Sequence, residues 1–308
     1  MKKVLVATDK PFAKVAVDGI RKVVTEAGYE LVMLEKYTEK ADLLKAVSDV
    51  DAFIIRSDIA DKAVLEAGKN LKIVVRAGAG YDNIDLEAAT KNNIVAMNTP
   101  GQNSNAVAEL VFGMVVLMAR NNYNGSSGTE LRGKKIGIHA YGHVGRYVAK
   151  IAFGFGMEVY AFDPFVKKEA MEAEGVKVVS TVEELYATCQ YVSLHIPATA
   201  QTKNSINFEL LSKMPKGATL INTARKEVIN EEGLLKMFSE RLDFRYVSDI
   251  EPACKSEIVE KFSGRFFFTP KKMGAQTDEA NINAGLAAAH QIVNFFEKGD
   301  TKFQVNKG

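Results

Sequence analysis

The stretch that most constrains what this chain can fold into runs from Arg132 to Arg146 and closes with Asp163. Residues 136–139 form a short apolar run suited to a buried parallel strand, and 144–155 carry helical spacing. Between them Ala140, Gly142 and Gly145 fall as A-x-G-x-x-G. Gly142 would let a backbone approach a pyrophosphate with no Cβ in the way, and Gly145 would let the helix close on its strand. The helix start supplies free N–H donors, so Tyr141, Gly142, His143, Val144 and Gly145 are the candidate phosphate-binding turn.

Ala140 stands where this fingerprint usually has its first glycine, so the tight turn must accept a methyl group. Asp163 strengthens the reading. It ends the next apolar run, 158–162, about twenty residues on, where a carboxylate accepts hydrogen bonds from an adenosine ribose and repels a 2′-phosphate. NAD is therefore favoured over NADP, although Lys167 and Lys168 nearby weaken the preference.

At 308 residues the chain has room for two domains. A net charge of +2 gives no basic excess that would draw it onto nucleic acid or an anionic membrane, so a small-molecule partner is expected. Cys189 and Cys254 are far apart and lack metal-ligand spacing, which points away from disulfides and zinc and toward a reducing cytoplasm. The first apolar run, 4–7, is too short for a signal-peptide core, and no run has the length to span a bilayer.

Strand-like runs at 4–7, 30–34, 52–55, 73–76 and 94–97 alternate with helical patterns at 13–27, 39–47, 62–67 and 84–91. Thr99-Pro100-Gly101 breaks the chain, and 104–120 is a long apolar helix. The alternation resumes with strands at 176–179, 191–196, 218–222, 246–250 and 266–269. A long amphipathic helix, 278–298, could return to the first domain and make it discontinuous.

Seven ordered segments then carry a family likeness: 76–85 with Gly78, Ala79 and Gly80; Ala106 to Leu110; the cofactor turn; Val192 to Pro197; Ile221 to Arg225; Glu251-Pro252; and Gly274 to Thr277. In these the chain resembles the D-isomer-specific 2-hydroxyacid dehydrogenases, nearest to the branch that oxidises 3-phosphoglycerate. The resemblance implies an α/β fold of two doubly wound parallel-sheet domains. A flavodoxin-like substrate domain would comprise 1–98 plus 284–308, and a Rossmann NAD domain 99–283, with a homodimer formed through the NAD domains.

It also implies roles. Arg225 and Glu251 correspond to the family's arginine and glutamate, and Tyr141 to Gly145, Asp163, His195, Pro197, Thr223, Ala224 and Asp249 to its NAD contacts. Gly78, Ala79 and Gly80 would offer backbone N–H groups to a carboxylate, and Arg56 would take the 3-phosphate. The family's catalytic histidine is missing, because the expected Thr-Pro-His reads Thr269-Pro270-Lys271-Lys272. Alignment on Gly274-Ala275 puts Lys272 in its place, and alignment on Thr269-Pro270 puts Lys271 there; the downstream match favours Lys272. The expected partner is a phosphorylated 2-hydroxy acid. The alternatives are glyoxylate, hydroxypyruvate or D-lactate on the same fold, and a non-catalytic protein that senses NAD.

Overall fold

The apolar runs of the first hundred residues become five parallel strands: β1 (Lys3–Thr8), β2 (Glu30–Glu35), β3 (Ala52–Ile55), β4 (Ile73–Arg76) and β5 (Val95–Asn98). The computed structural model, which describes residues 1–307, orders them β2-β1-β3-β4-β5. Side chains alternate across a strand, and here both faces are apolar, as a parallel sheet covered on two sides requires. Leu5, Phe53, Ile55 and Val74 pack to one side, with α2 (Lys40–Val47), α3 (Lys62–Ala67) and α4 (Leu86–Lys91). Val4, Val6, Ile54 and Val75 pack to the other, against α1 (Lys14–Glu26) and the last helix, α12 (Asp278–Lys298).

Local chemistry sets the helix starts. Asp61 and Asp85 accept from Val64 N and Ala88 N at the heads of α3 and α4, and Thr277 Oγ1 accepts from Ala280 N at the head of α12. Gly299, in the left-handed region at φ +65°, ends α12.

The second sheet has seven parallel strands: β6 (Lys135–His139), β7 (Glu158–Phe162), β8 (Lys177–Val178), β9 (Tyr191–Leu194), β10 (Thr219–Asn222), β11 (Arg245–Ser248) and β12 (Phe266–Phe268), ordered β12-β11-β10-β9-β6-β7-β8. Its helices are α5 (Ser104–Ala119), α6 (His143–Gly154), α7 (Lys168–Glu172), α8 (Val182–Thr188), α9 (Phe208–Leu211), α10 (Glu231–Glu240) and α11 (Lys255–Lys261). Both sheets are doubly wound, with strand order reversing between β1 and β3 in one and between β6 and β9 in the other.

Two compact units result, residues 1–103 with the stretch from 276 onward, and residues 104–275. The boundary expected at 283/284 falls inside α12, which is continuous from its Thr277 cap. Among the described residues no helix is long and apolar enough to cross a membrane.

Candidate active site

The turn after β6 is held from two sides: Ala140 N donates to Phe162 O at 2.9 Å, and Tyr141 N donates to Asp163 Oδ2 at 2.7 Å. Ala140 lies at φ +80°, so the methyl group sits in a backbone region that favours glycine. Gly142, the N-cap of α6, has φ −79°, and a Cβ built there would meet nothing within 4 Å. Neither backbone conformation nor packing within the chain demands glycine at 142; the open space beside it suits a pyrophosphate. At Gly145 a Cβ would lie 2.5 Å from Ala140 O, so that glycine is required by the contact between α6 and the turn. The head of α6 has neither a side-chain cap nor an acidic residue in its first turn, which leaves its N–H groups for an anion.

Tyr141 differs from its expected place. Its ring is 1% exposed, its hydroxyl donates to Glu174 Oε2 at 2.8 Å, and its amide is taken by Asp163. Arg146 pairs with the same Glu174 and covers the Tyr141 ring. Tyr141 thus anchors the turn, while His143 and Val144 begin α6.

Asp163 Oδ1 accepts from Phe165 N at 2.8 Å and Val166 N at 3.1 Å, so the carboxylate shapes the loop it sits in. Beside it lies a pocket of about 470 Å³ lined by Phe162, Val166, Lys168, Met171 and Val179 among others. An apolar hollow edged by a carboxylate fits an adenosine. Behind the turn His139 and His195 are both neutral near pH 7: burial pulls their pKa values down to about 4 and about 3. Ser193 Oγ lies 2.9 Å from His195 Nε2, and Pro197 O accepts from Thr202 Oγ1.

The candidate catalytic side chains lie at the carboxyl ends of β10, β11 and β12. Asn222 shapes the first of these: its Oδ1 accepts from Ala224 N at 3.0 Å and its Nδ2 donates to Arg225 O at 3.1 Å. Arg225 Nη1 and Lys272 Nζ both donate to the Ala224 carbonyl, at 3.0 and 3.1 Å. Two cations from strand ends 47 residues apart therefore meet on one oxygen. Lys271 is placed differently, its carbonyl accepting from Thr269 Oγ1.

Asp249 is fully buried; its Oδ2 accepts from Gly274 N at 2.8 Å. Burial pushes its carboxyl above the usual range, while the Gly274 and Met273 amides and the charges of Lys272 and Arg225 pull the other way. Asp249 Oδ1 and the neighbouring strand end's Thr223 Oγ1 are buried without a hydrogen-bond partner. A nicotinamide carboxamide carries both the donors and the acceptor such atoms require. Together with the space at Gly142 and the hollow at Asp163, these two atoms make the residues fit for NAD. Glu251 is paired with Lys255, a partner that no sequence motif pointed to.

In the first unit Arg56 follows β3, at the reversal of strand order. Its guanidinium donates to Lys10 O (3.0 Å), Pro11 O (3.2 Å) and Asn281 Oδ1 (2.5 Å), and lies 4.9 Å from the Phe12 ring centroid. Of the three amides expected to receive a carboxylate, Gly78 N is already used, donating to Arg76 O at 2.9 Å. That leaves Ala79 and Gly80. A Cβ at Gly78 would collide with the Arg76 guanidinium, so this glycine makes room for an arginine.

The family model for the D-isomer-specific 2-hydroxyacid dehydrogenase NAD-binding domain matches residues 106–260. The NAD+-bound 3-phosphoglycerate dehydrogenase of Entamoeba histolytica is similar in structure, with a TM-score of 0.89, 49% identity and 99% of each chain covered. A hydroxypyruvate reductase of Thermotoga maritima is 35% identical over 285 residues, 85% of this chain and 90% of its own. A D-3-phosphoglycerate dehydrogenase of Methanocaldococcus jannaschii is 34% identical over 270 residues, 82% of this chain and 51% of its own; the chain spans about half the length of that relative.

Proposed function

The chain belongs to the D-isomer-specific 2-hydroxyacid dehydrogenases, NAD-dependent enzymes, and within that family we propose that it interconverts 3-phospho-D-glycerate and 3-phosphohydroxypyruvate, the oxidation that opens serine biosynthesis. The observation that carries the choice of substrate is Arg56. Three of its five N–H donors are fixed by Lys10, Pro11 and Asn281, which pre-orients the remaining two for a phosphate. Lactate or glyoxylate would bring no phosphate to them.

Bound NAD would supply the acceptor for the hydride that leaves C2. In the second unit the planar fork of Arg225 suits the 2-oxo end of the acid; in the first unit the amides of Ala79 and Gly80 suit a carboxylate. Lys272 Nζ takes the hydroxyl proton during oxidation and returns it during reduction. A free lysine has a pKa near 10.4, so only about one in a thousand is neutral at pH 7.5. Arg225, on the same carbonyl, disfavours the ammonium, whereas Asp249 favours it. Glu251 is paired with Lys255, and Asp249 is a carboxylate on which the charges of both Lys272 and Arg225 act.

A second reading, hydroxypyruvate as the substrate, is favoured by the Thermotoga relative. One NADH-absorbance experiment separates them. With 3-phosphohydroxypyruvate the wild-type kcat/KM should exceed that with hydroxypyruvate. Arg56→Ala should raise KM for the phosphorylated acid by about a hundredfold, the loss of a charge-assisted pair, and leave hydroxypyruvate within about twofold. Equal effects on both acids would remove the phosphate role.

A further inference from the structure

The loop carrying Ala79 and Gly80 is held from behind by its carbonyls. Thr99 N donates to Gly78 O at 2.9 Å, and Asn98 Nδ2 donates to Ala79 O at 2.6 Å. In a trans peptide the C=O and the N–H point in opposite directions. Holding Gly78 C=O therefore fixes the direction of Ala79 N–H, and holding Ala79 C=O fixes that of Gly80 N–H. Both N–H groups are turned away from the end of β5, and neither has a partner among the described residues.

The two anchors differ. Thr99 acts through its backbone and survives any substitution short of proline. Asn98 acts through its side chain, 8% exposed, and the peptide it holds ends on Gly80, with no side chain there to fix it otherwise. Gln291 of α12 steadies the anchor, donating Nε2–H to Asn98 O at 3.0 Å.

We infer that Asn98 is a positioning residue: by binding Ala79 O it presents the Gly80 amide, beside that of Ala79, as a two-donor cradle for the carboxylate of the substrate. This rests on the reading of that loop as the carboxylate site. It does not rest on Arg56, because every 2-oxo acid has a carboxylate whether or not it carries a phosphate.

Asn98→Ala and the isosteric Asn98→Asp, which keeps the shape but lacks the donor, are assayed with 3-phosphohydroxypyruvate and with hydroxypyruvate, alongside the KM for NADH and the thermal midpoint. Each variant should raise KM for both acids by about fivefold to tenfold, the loss of one oriented hydrogen bond, and hold KM for NADH within about twofold. Unchanged KM for the acids, or a KM for NADH that rises in step, would overturn the inference. On the unmodified chain, ¹⁵N–¹H signals of Ala79 and Gly80 should shift on titration with oxamate, a carboxylate that is not turned over; shifts elsewhere only would also overturn it. A chain that reduced neither acid would defeat the substrate reading alone, since the oxamate titration would still decide the cradle.

Discussion

Ala140 holds a left-handed backbone, φ +80°, in the turn between β6 and α6. An L-residue in that region costs about 1–2 kcal/mol, of which the entropy glycine adds to the unfolded chain would return about half. Ala140→Gly should therefore raise stability by about 0.5–1 kcal/mol, read as a higher denaturant midpoint at unchanged slope. The strain was legible in the sequence because the A-x-G-x-x-G spacing already puts Ala140 where the turn needs a glycine. Arg225 and Lys272 are another matter: nothing in the residues around either one says that both reach Ala224 O, and only the family likeness brought them together. Asn98 and Gln291 left no trace at all, since their contacts join residues 19 and 193 positions apart through side chain and backbone.

At the scale of elements, α6 separates two glycines that a motif treats alike. Gly142→Ala places its methyl group in open space and should change stability by less than about 1 kcal/mol, while raising the Kd for NADH, followed by fluorescence, by about tenfold or more. Gly145→Ala drives a methyl group against Ala140 O and should cost about 1–3 kcal/mol in a denaturant melt. Equal stability losses in the two variants would show that both glycines serve packing. The strands could be read from their apolar runs because both faces of each sheet are covered. The short helices α7, α9 and α11, of 5, 4 and 7 residues, give a 3.6-residue period too few turns to be seen. The boundaries of the turn at Lys226–Val228 were hidden for the same reason.

At the scale of the molecule, acid should unfold the chain partly through His139. Burial lowers its pKa from 6.5 to about 4, with Asp163 opposing, so the unfolded chain takes up the proton first. Its contribution is intact above about pH 6.5 and is lost as pH falls toward about 4, by at most about 3 kcal/mol. His195 adds to the same trend. Urea melts at pH 7, 5.5 and 4.5 should show a shallower loss in His139→Phe than in the wild type; parallel curves would exclude His139 as a source. The amphipathic pattern at 278–298 suggested a return of the chain to its first unit, but the detail could not be read in advance: Gly285 seats against Ile20 and Phe12, and Asn306 bonds the backbone of Ala96 and Ile94 beside β5. That closure sets an order of events during synthesis. Residues 1–103 leave the ribosome early yet lack one wall of their core until α12 has been translated, roughly ten to forty seconds later at about 5–20 residues per second. The middle of the chain can finish folding first, and the newborn N-terminal sheet must spend that interval with its α12-facing side bare, which makes it the part of the polypeptide that a chaperone would meet.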